Sequence, residues 1–169
     1  MTTDDVAFTE FVAETHSQLT RSARLLTGDW HSAEDLVQAT LMKVYRQWRR
    51  VVAADSALAY TQRIMLNLFL TSMRRRWHGE SAQEELPEPA GAAPDFTGAV
   101  GSRDVLSRAL RQLPRRQRAV VVLRYYEDLS VEQTAHLLDC SAATVRSQAS
   151  RALAKLRSDA GTAQLTREA

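Results

Sequence analysis

The chain has 169 residues, 44% of them apolar, and sets 22 Lys and Arg against 20 Asp and Glu for a net charge of +2. That length admits one ordinary domain or two small ones, and a single cysteine, Cys140, excludes an internal disulfide framework. The acidic N-terminus MTTDDVAFTEF lacks the apolar centre of a signal peptide. No run approaches the ~18 apolar residues of a membrane span, so a soluble, cytoplasmic protein without membrane insertion is expected.

Helix formers dominate, with six glycines and four prolines to interrupt them, and no segment alternates with a strand period. The expectation is an all-α fold. Charge divides the chain in three: residues 1–77 carry +2, residues 78–99 carry −5 with no Lys or Arg, and residues 100–169 carry +5. The middle segment, HGESAQEELPEPAGAAPDFTGA, holds three of the four prolines and shows no helical period. It reads as a flexible acidic linker (78–99) between two basic modules, 1–77 and 100–160, with 161–169 as a tail.

In chain order, the first helix is predicted from about Val6 to Leu26, buried through Phe8, Phe11, Val12, Leu19, Ala23 and Leu26 and closed by Gly28. A second opens at Ser32, with Asp35 three positions on as a carboxylate capping box. Its apolar face is Ala33, Leu36, Val37, Thr40, Leu41 and Val44. A third spans about Ser56–Trp77 and ends in three consecutive arginines and Trp77. Beyond the linker come a helix near Arg103–Gln112, another opened by Pro114 and running to about Tyr126, and then the most informative stretch, Ser130–Arg157.

There, Ser130 and Gln133 make a capping box for a short helix whose inner face is Val131, Ala135 and Leu138. Asp139-Cys140 form a turn, and Ser141, with Thr144 at the third position, caps a second helix. Val145, Ala149, Ala152, Leu153 and Leu156 recur there as a buried stripe, while Arg146, Ser147, Ser150 and Arg151 fall on the other side. A short helix, a tight turn and an outward Arg/Ser face are the marks of a helix-turn-helix, whose second helix reaches base edges and phosphates. The plainer alternative is an amphipathic hairpin with solvated arginines. Cys140 reads as turn packing, and the histidines at 16, 31, 78 and 136 are too scattered to bind a metal.

Residues 113–157, LPRRQRAVVVLRYYEDLSVEQTAHLLDCSAATVRSQASRALAKLR, resemble region 4 of the extracytoplasmic-function (ECF) RNA polymerase sigma factors of the sigma-70 family. Residues 28–48, GDWHSAEDLVQATLMKVYRQW, resemble region 2 of the same family. The likeness is strongest to the actinobacterial sigma-E-type members. It implies a region 2 helical bundle and a region 4 helix-turn-helix, joined by the linker, in a promoter-specificity subunit that is not itself an enzyme and needs no cofactor.

The partners implied are the bacterial polymerase core (the clamp helices of its largest subunit and its flap) and promoter DNA; the family also admits an anti-sigma factor. Glu34, Asp35 and Gln38, off the apolar face of the second helix, would bind core, and Asp35 also reads as a helix cap, a role compatible with that one. By resemblance Asn67 contacts a −10 base and Arg63, Arg74 and Arg75 hold phosphates. Trp48 and Tyr60, flanking the loop Arg49–Asp55, are stacking platforms for melted bases or else core residues. Ser141, Thr144, Arg146, Ser147, Ser150 and Arg151 would read the −35 element. The 22-residue linker spans at most ~75 Å, against roughly 70 Å for two major-groove faces two turns apart. An autonomous regulator of the LuxR kind shares the C-terminal motif, but has no use for AEDLVQATLMKVY or for an arginine-terminated third helix. A nucleic-acid enzyme finds no phosphate loop, metal cluster or nucleophile elbow in the sequence.

Overall fold

The computed structural model describes the backbone of residues 1–79 and 100–158, and the side chains of 1–71 and 106–158. The linker from residue 80 onward, the tail 161–169 and the side chains of Arg74 and Arg75 lie outside the described residues. Among those described, every regular element is helical: α1 (Thr3–Thr27), α2 (Trp30–Arg46), α3 (Trp48–Val52), α4 (Ala57–Gly79), α5 (Val100–Arg111), α6 (Arg115–Val121), a π-helical turn (Val122–Tyr126), α7 (Val131–Leu138) and α8 (Ala142–Ser158).

Local signals set most of the ends. Thr2 accepts from the Asp5 N–H at 3.2 Å while the Asp5 carboxylate accepts from the Thr2 N–H at 2.8 Å, so a capping box starts α1 ahead of the predicted Val6. Gly28, at φ 84°, ends the helix as expected. A side chain there would also be crowded: a Cβ would lie 2.5 Å from the Arg111 side chain.

The start of α2 differs from the sequence expectation. Asp29, not Ser32, is the N-cap, its Oδ1 accepting from the Ser32 N–H at 2.8 Å. Asp35 therefore lies inside the helix and takes no part in capping. The buried face is the expected set: Ala33, Leu36, Val37, Thr40, Leu41 and Val44. The expected loop after Trp48 is instead partly helical, because Gln47 interrupts α2 and the chain turns once more as α3. Helix α4 carries on through His78 and Gly79, two residues that composition had placed in the linker.

The helix after Pro114 reaches Tyr126 as predicted, but its last turn widens to π geometry, with the Glu127 N–H bonded to the Val122 carbonyl at 2.9 Å. Asp128 and Asp139, both left-handed, break the chain before and after α7. The Ser130–Gln133 capping box is present on α7, and Ser141 accepts from the Thr144 N–H at 3.1 Å at the start of α8. Val145, Ala149 and Ala152 are buried as the stripe required, while Leu153 and Leu156 are half-buried.

The modules do not stand apart. One core runs through both, from Leu19, Leu26, Leu36, Val37, Leu66 and Phe69 to Leu110, Val120, Leu123, Leu138 and Val145. Helices α1 and α4 pack against α5, α6, α7 and the π turn. A smaller cluster of Val44, Trp48, Val51 and Ile64 holds α3 against α2 and α4.

Candidate nucleic-acid interface

Three surfaces carry the residues singled out by the sequence. On α2, burial of the six-residue apolar face turns Glu34, Asp35 and Gln38 outward, and all three are exposed. Glu34, Gln38 and Met42 follow one another at four-residue steps, so an exposed methionine extends the acidic and amide line. Tyr45, half exposed, lies a turn further on. Sequence reading missed both because a large apolar residue off the main stripe gives no periodic signal.

The second surface joins α3 and α4. Asn67 is exposed and Arg63 half-buried four residues before it, which places them on one face. Tyr60 is half-buried, its hydroxyl 3.4 Å from the Gln47 amide oxygen. Trp48 is only 6% exposed, packed edge-on to Phe8 with centroids 5.4 Å apart and tilted against Phe11 at the same distance. Between its two readings the structure takes the core one, since neither ring face is open to a base.

Beside this surface Arg46, Arg49 and Arg50 share a cleft with the first turn of α1. The Arg49 guanidinium lies 3.5 Å from the Asp4 carboxylate, both largely exposed. The Tyr45 hydroxyl donates to Asp5 at 2.7 Å. Bonds from the Thr2 backbone, the Tyr45 hydroxyl and the Thr2 side chain hold the Asp5 carboxyl below its ordinary value. The same bond to Asp5, and the charge of Asp5, push Tyr45 up.

The third surface is the outer face of α8. Arg146, Ser147, Ser150 and Arg151 are exposed on it, opposite the buried Val145, Ala149 and Ala152. Ser141 and Thr144 are less free: their hydroxyls are 2.8 Å apart and Ser141 is occupied in capping. The Arg146 guanidinium rests 3.7 Å from Glu132 on α7, an exposed pair of the kind that costs little to break. A groove between the π turn and α8 brings Arg124, Tyr125 and Arg157 to the same place as Arg146 and Ser150. Arg124 lies over the Tyr125 ring, 5.6 Å from its centroid, and donates to the Leu129 carbonyl, which fixes its direction. Arg124 and Tyr125 were not legible as site residues, because they meet α8 only through the fold of the π turn, and Arg157, on α8 itself, lies three turns beyond Arg146.

Among the described residues no group of His, Cys, Asp and Glu could hold a metal ion, and no helix is long and apolar enough to cross a membrane. The exposed faces offer carboxylate and amide groups on α2, and basic, hydroxyl and amide groups on α4 and α8.

Comparison with known proteins agrees with that chemistry. Residues 11–79 match the family described as Sigma-70 region 2, and residues 103–156 match Sigma-70, region 4. The RNA polymerase sigma-E factor of Streptomyces coelicolor is 40% identical over 152 residues, covering 90% of this chain and 85% of that protein. The ECF RNA polymerase sigma factor SigM of Mycobacterium tuberculosis is 31% identical, covering 90% of this chain and 76% of its own length. Among solved structures, the sigma factor RpoE of Bartonella quintana, in complex with the anti-sigma factor NepR, superposes with a TM-score of 0.72 at 26% identity, covering 90% of this chain and 95% of that one. CnrH, solved with the cytosolic domain of CnrY, shares the fold at a TM-score of 0.62 and 22% identity, covering 98% and 91% of the two chains. With both regions matched in order on the two sides of an acidic linker, this chain belongs to the sigma-70 family and is an RNA polymerase sigma factor of the ECF group, directing promoter-specific transcription.

Proposed function

We propose that the surfaces divide the work of initiation as follows. Glu34, Asp35 and Gln38 on α2 dock on the clamp helices of the polymerase core. Tyr60, Arg63 and Asn67, with Arg74 and Arg75 further along α4, hold the unpaired strand of the −10 element. Trp48 supports that surface from beneath. Ser147, Ser150, Arg146 and Arg151 on α8 read the −35 element, Ser141 and Thr144 shape the start of that helix, and Arg124, Tyr125 and Arg157 grip a flanking phosphate.

The region 2 module extends to the end of α4 at Gly79, two residues past the limit at 77 that composition set, and the region 4 module spans 100–160, with the acidic segment between them passing through the polymerase and off the DNA. The protein acts as a cytoplasmic specificity subunit and contributes no catalysis. An anti-sigma factor is a further partner, as it is for the Bartonella quintana relative.

The observation that carries the reading is the two-sided character of α8. Its buried stripe fixes the helix on α6 and α7, which leaves two arginines and two serines outward where a recognition helix needs them. The test is reconstitution with bacterial core polymerase and transcription from candidate promoters. Arg146→Ala or Arg151→Ala should lower −35-dependent initiation about tenfold while core affinity holds, since a good base contact is worth ~1–3 kcal/mol. Tight operator binding without core, with no redirection of core to any promoter, would overturn the proposal.

A further inference from the structure

The groove between the π turn and α8 is lined by three arginines, Arg124, Arg146 and Arg157, and among the described residues that line it none is acidic. Stacking on the Tyr125 ring and a bond to the Leu129 carbonyl fix the direction of Arg124. Guanidiniums gathered in this way bind phosphate strongly, and phosphate contacts carry no sequence information. The Arg146 side chain is 62% exposed on a flexible stem. Left to itself, it would as readily add to the phosphate contacts of the groove as reach a base edge.

One carboxylate opposes that. Glu132, in the first turn of α7, is 72% exposed, and its Oε1 lies 3.7 Å from Nη2 of Arg146. Its neighbour Val131 lines the groove. On its other side Gln133 is engaged in the capping box, accepting from the Ser130 N–H at 2.8 Å. The separation from Arg146 is that of an ion pair and not of a hydrogen bond, so the guanidinium keeps its donors for another acceptor. In a helix-turn-helix the first helix crosses the DNA backbone, which sets this carboxylate where phosphates pass.

We propose that Glu132 is a positioning residue for promoter recognition, one that makes Arg146 a reader of a base edge and not a holder of phosphate. The inference rests on the reading of α8 as the −35 recognition helix. Charge attraction to Glu132 narrows the arc that the Arg146 stem sweeps. A guanidinium that leaves for a phosphate abandons Glu132 unpaired beside the DNA backbone, where like charges repel. One that meets a base edge within reach of Glu132 keeps its partner. Specificity is a difference of affinities, and Glu132 widens it chiefly by weakening the wrong complexes.

The test uses holoenzyme reconstituted from the full chain and bacterial core polymerase. Initiation from a promoter matched at −35 is compared with initiation from single-base variants across the element, and Arg146→Ala identifies the base pair that Arg146 reads. Glu132→Gln keeps the size and removes the charge. It should lower the preference at that base pair about fivefold, while binding to promoter-free DNA becomes tighter and falls more steeply with salt, as one further phosphate contact requires. Glu132→Asp, which keeps the charge, should retain more of the preference. In an Arg146→Ala background, Glu132→Gln should change the preference by less than about twofold, because the partner through which it acts is gone. The pair is exposed, so the thermal midpoint of the free protein should stay that of wild type.

A preference that Glu132→Gln leaves intact would overturn the proposal. So would an equal loss with and without Arg146, since the carboxylate would then act through net charge alone. Loss of preference in Arg146→Ala but not in Glu132→Gln removes Glu132 and leaves the recognition face standing. If Arg146→Ala alters no −35 preference, the recognition face and the role of Glu132 fall together.

Discussion

Asp29 and Asp35 are two carboxylates near the start of one helix, and the structure separates their duties. Asp29 satisfies a free N–H of the first turn, which water would otherwise have to serve. Asp35, exposed within the helix, caps nothing and is available to a partner. Asp29→Ala should thus destabilise the free protein by ~0.5–2 kcal/mol, seen as a lower midpoint of chemical unfolding. Asp35→Ala should leave that midpoint within about 0.5 kcal/mol of wild type and weaken binding to core. The reverse pattern would return Asp35 to a capping role and remove it from the core-binding face. The sequence reading started the helix at Ser32; Asp29 and Ser32 are both residue types that cap well, and only the backbone turn at Asp29 decides which is used.

At the scale of elements, legibility followed periodicity. The six-residue face of α2, the capping box of α7 and the stripe on α8 are all local patterns, fixed by residues three or four positions apart. Trp48 was ambiguous for the opposite reason. Its burial depends on Phe8 and Phe11 at the far end of the chain segment, and no spacing near Trp48 announces them. The π turn was likewise silent, since its extra residue is absorbed by a single Glu127–Val122 bond within an otherwise helical run. Gly28 sits where element and packing meet: its left-handed backbone closes α1, and the Arg111 side chain lies across it. Gly28→Ala should therefore cost more than the ~1 kcal/mol of an unfavourable left-handed residue alone, because the methyl also displaces Arg111. Unfolding measurements that show a loss below that value would mean the Arg111 side chain moves aside freely.

The whole molecule is where sequence reading stopped short. Basic modules around an acidic linker were apparent from composition, but their docking was not, because its hydrogen bonds join residues 46 to 109 positions apart. Arg118 shows why such contacts matter. It read as one basic residue among many in LPRRQR, yet its guanidinium is buried and supplies donors to carbonyls from both halves. Removing a donor from buried acceptors costs ~1–3 kcal/mol, so Arg118→Leu should lower the thermal midpoint of the free chain measurably. The shape of the transition is more telling than its position. A core that runs from Leu19 to Val145 should melt as one cooperative unit, with calorimetric and van't Hoff enthalpies equal. Without Arg118 the α1 end of that core loses its tie to α6, and the single transition should broaden or split into two. Wild-type protein that already melts in two independent steps would show that the halves touch without sharing stability, and Arg118→Leu would then affect the second step alone.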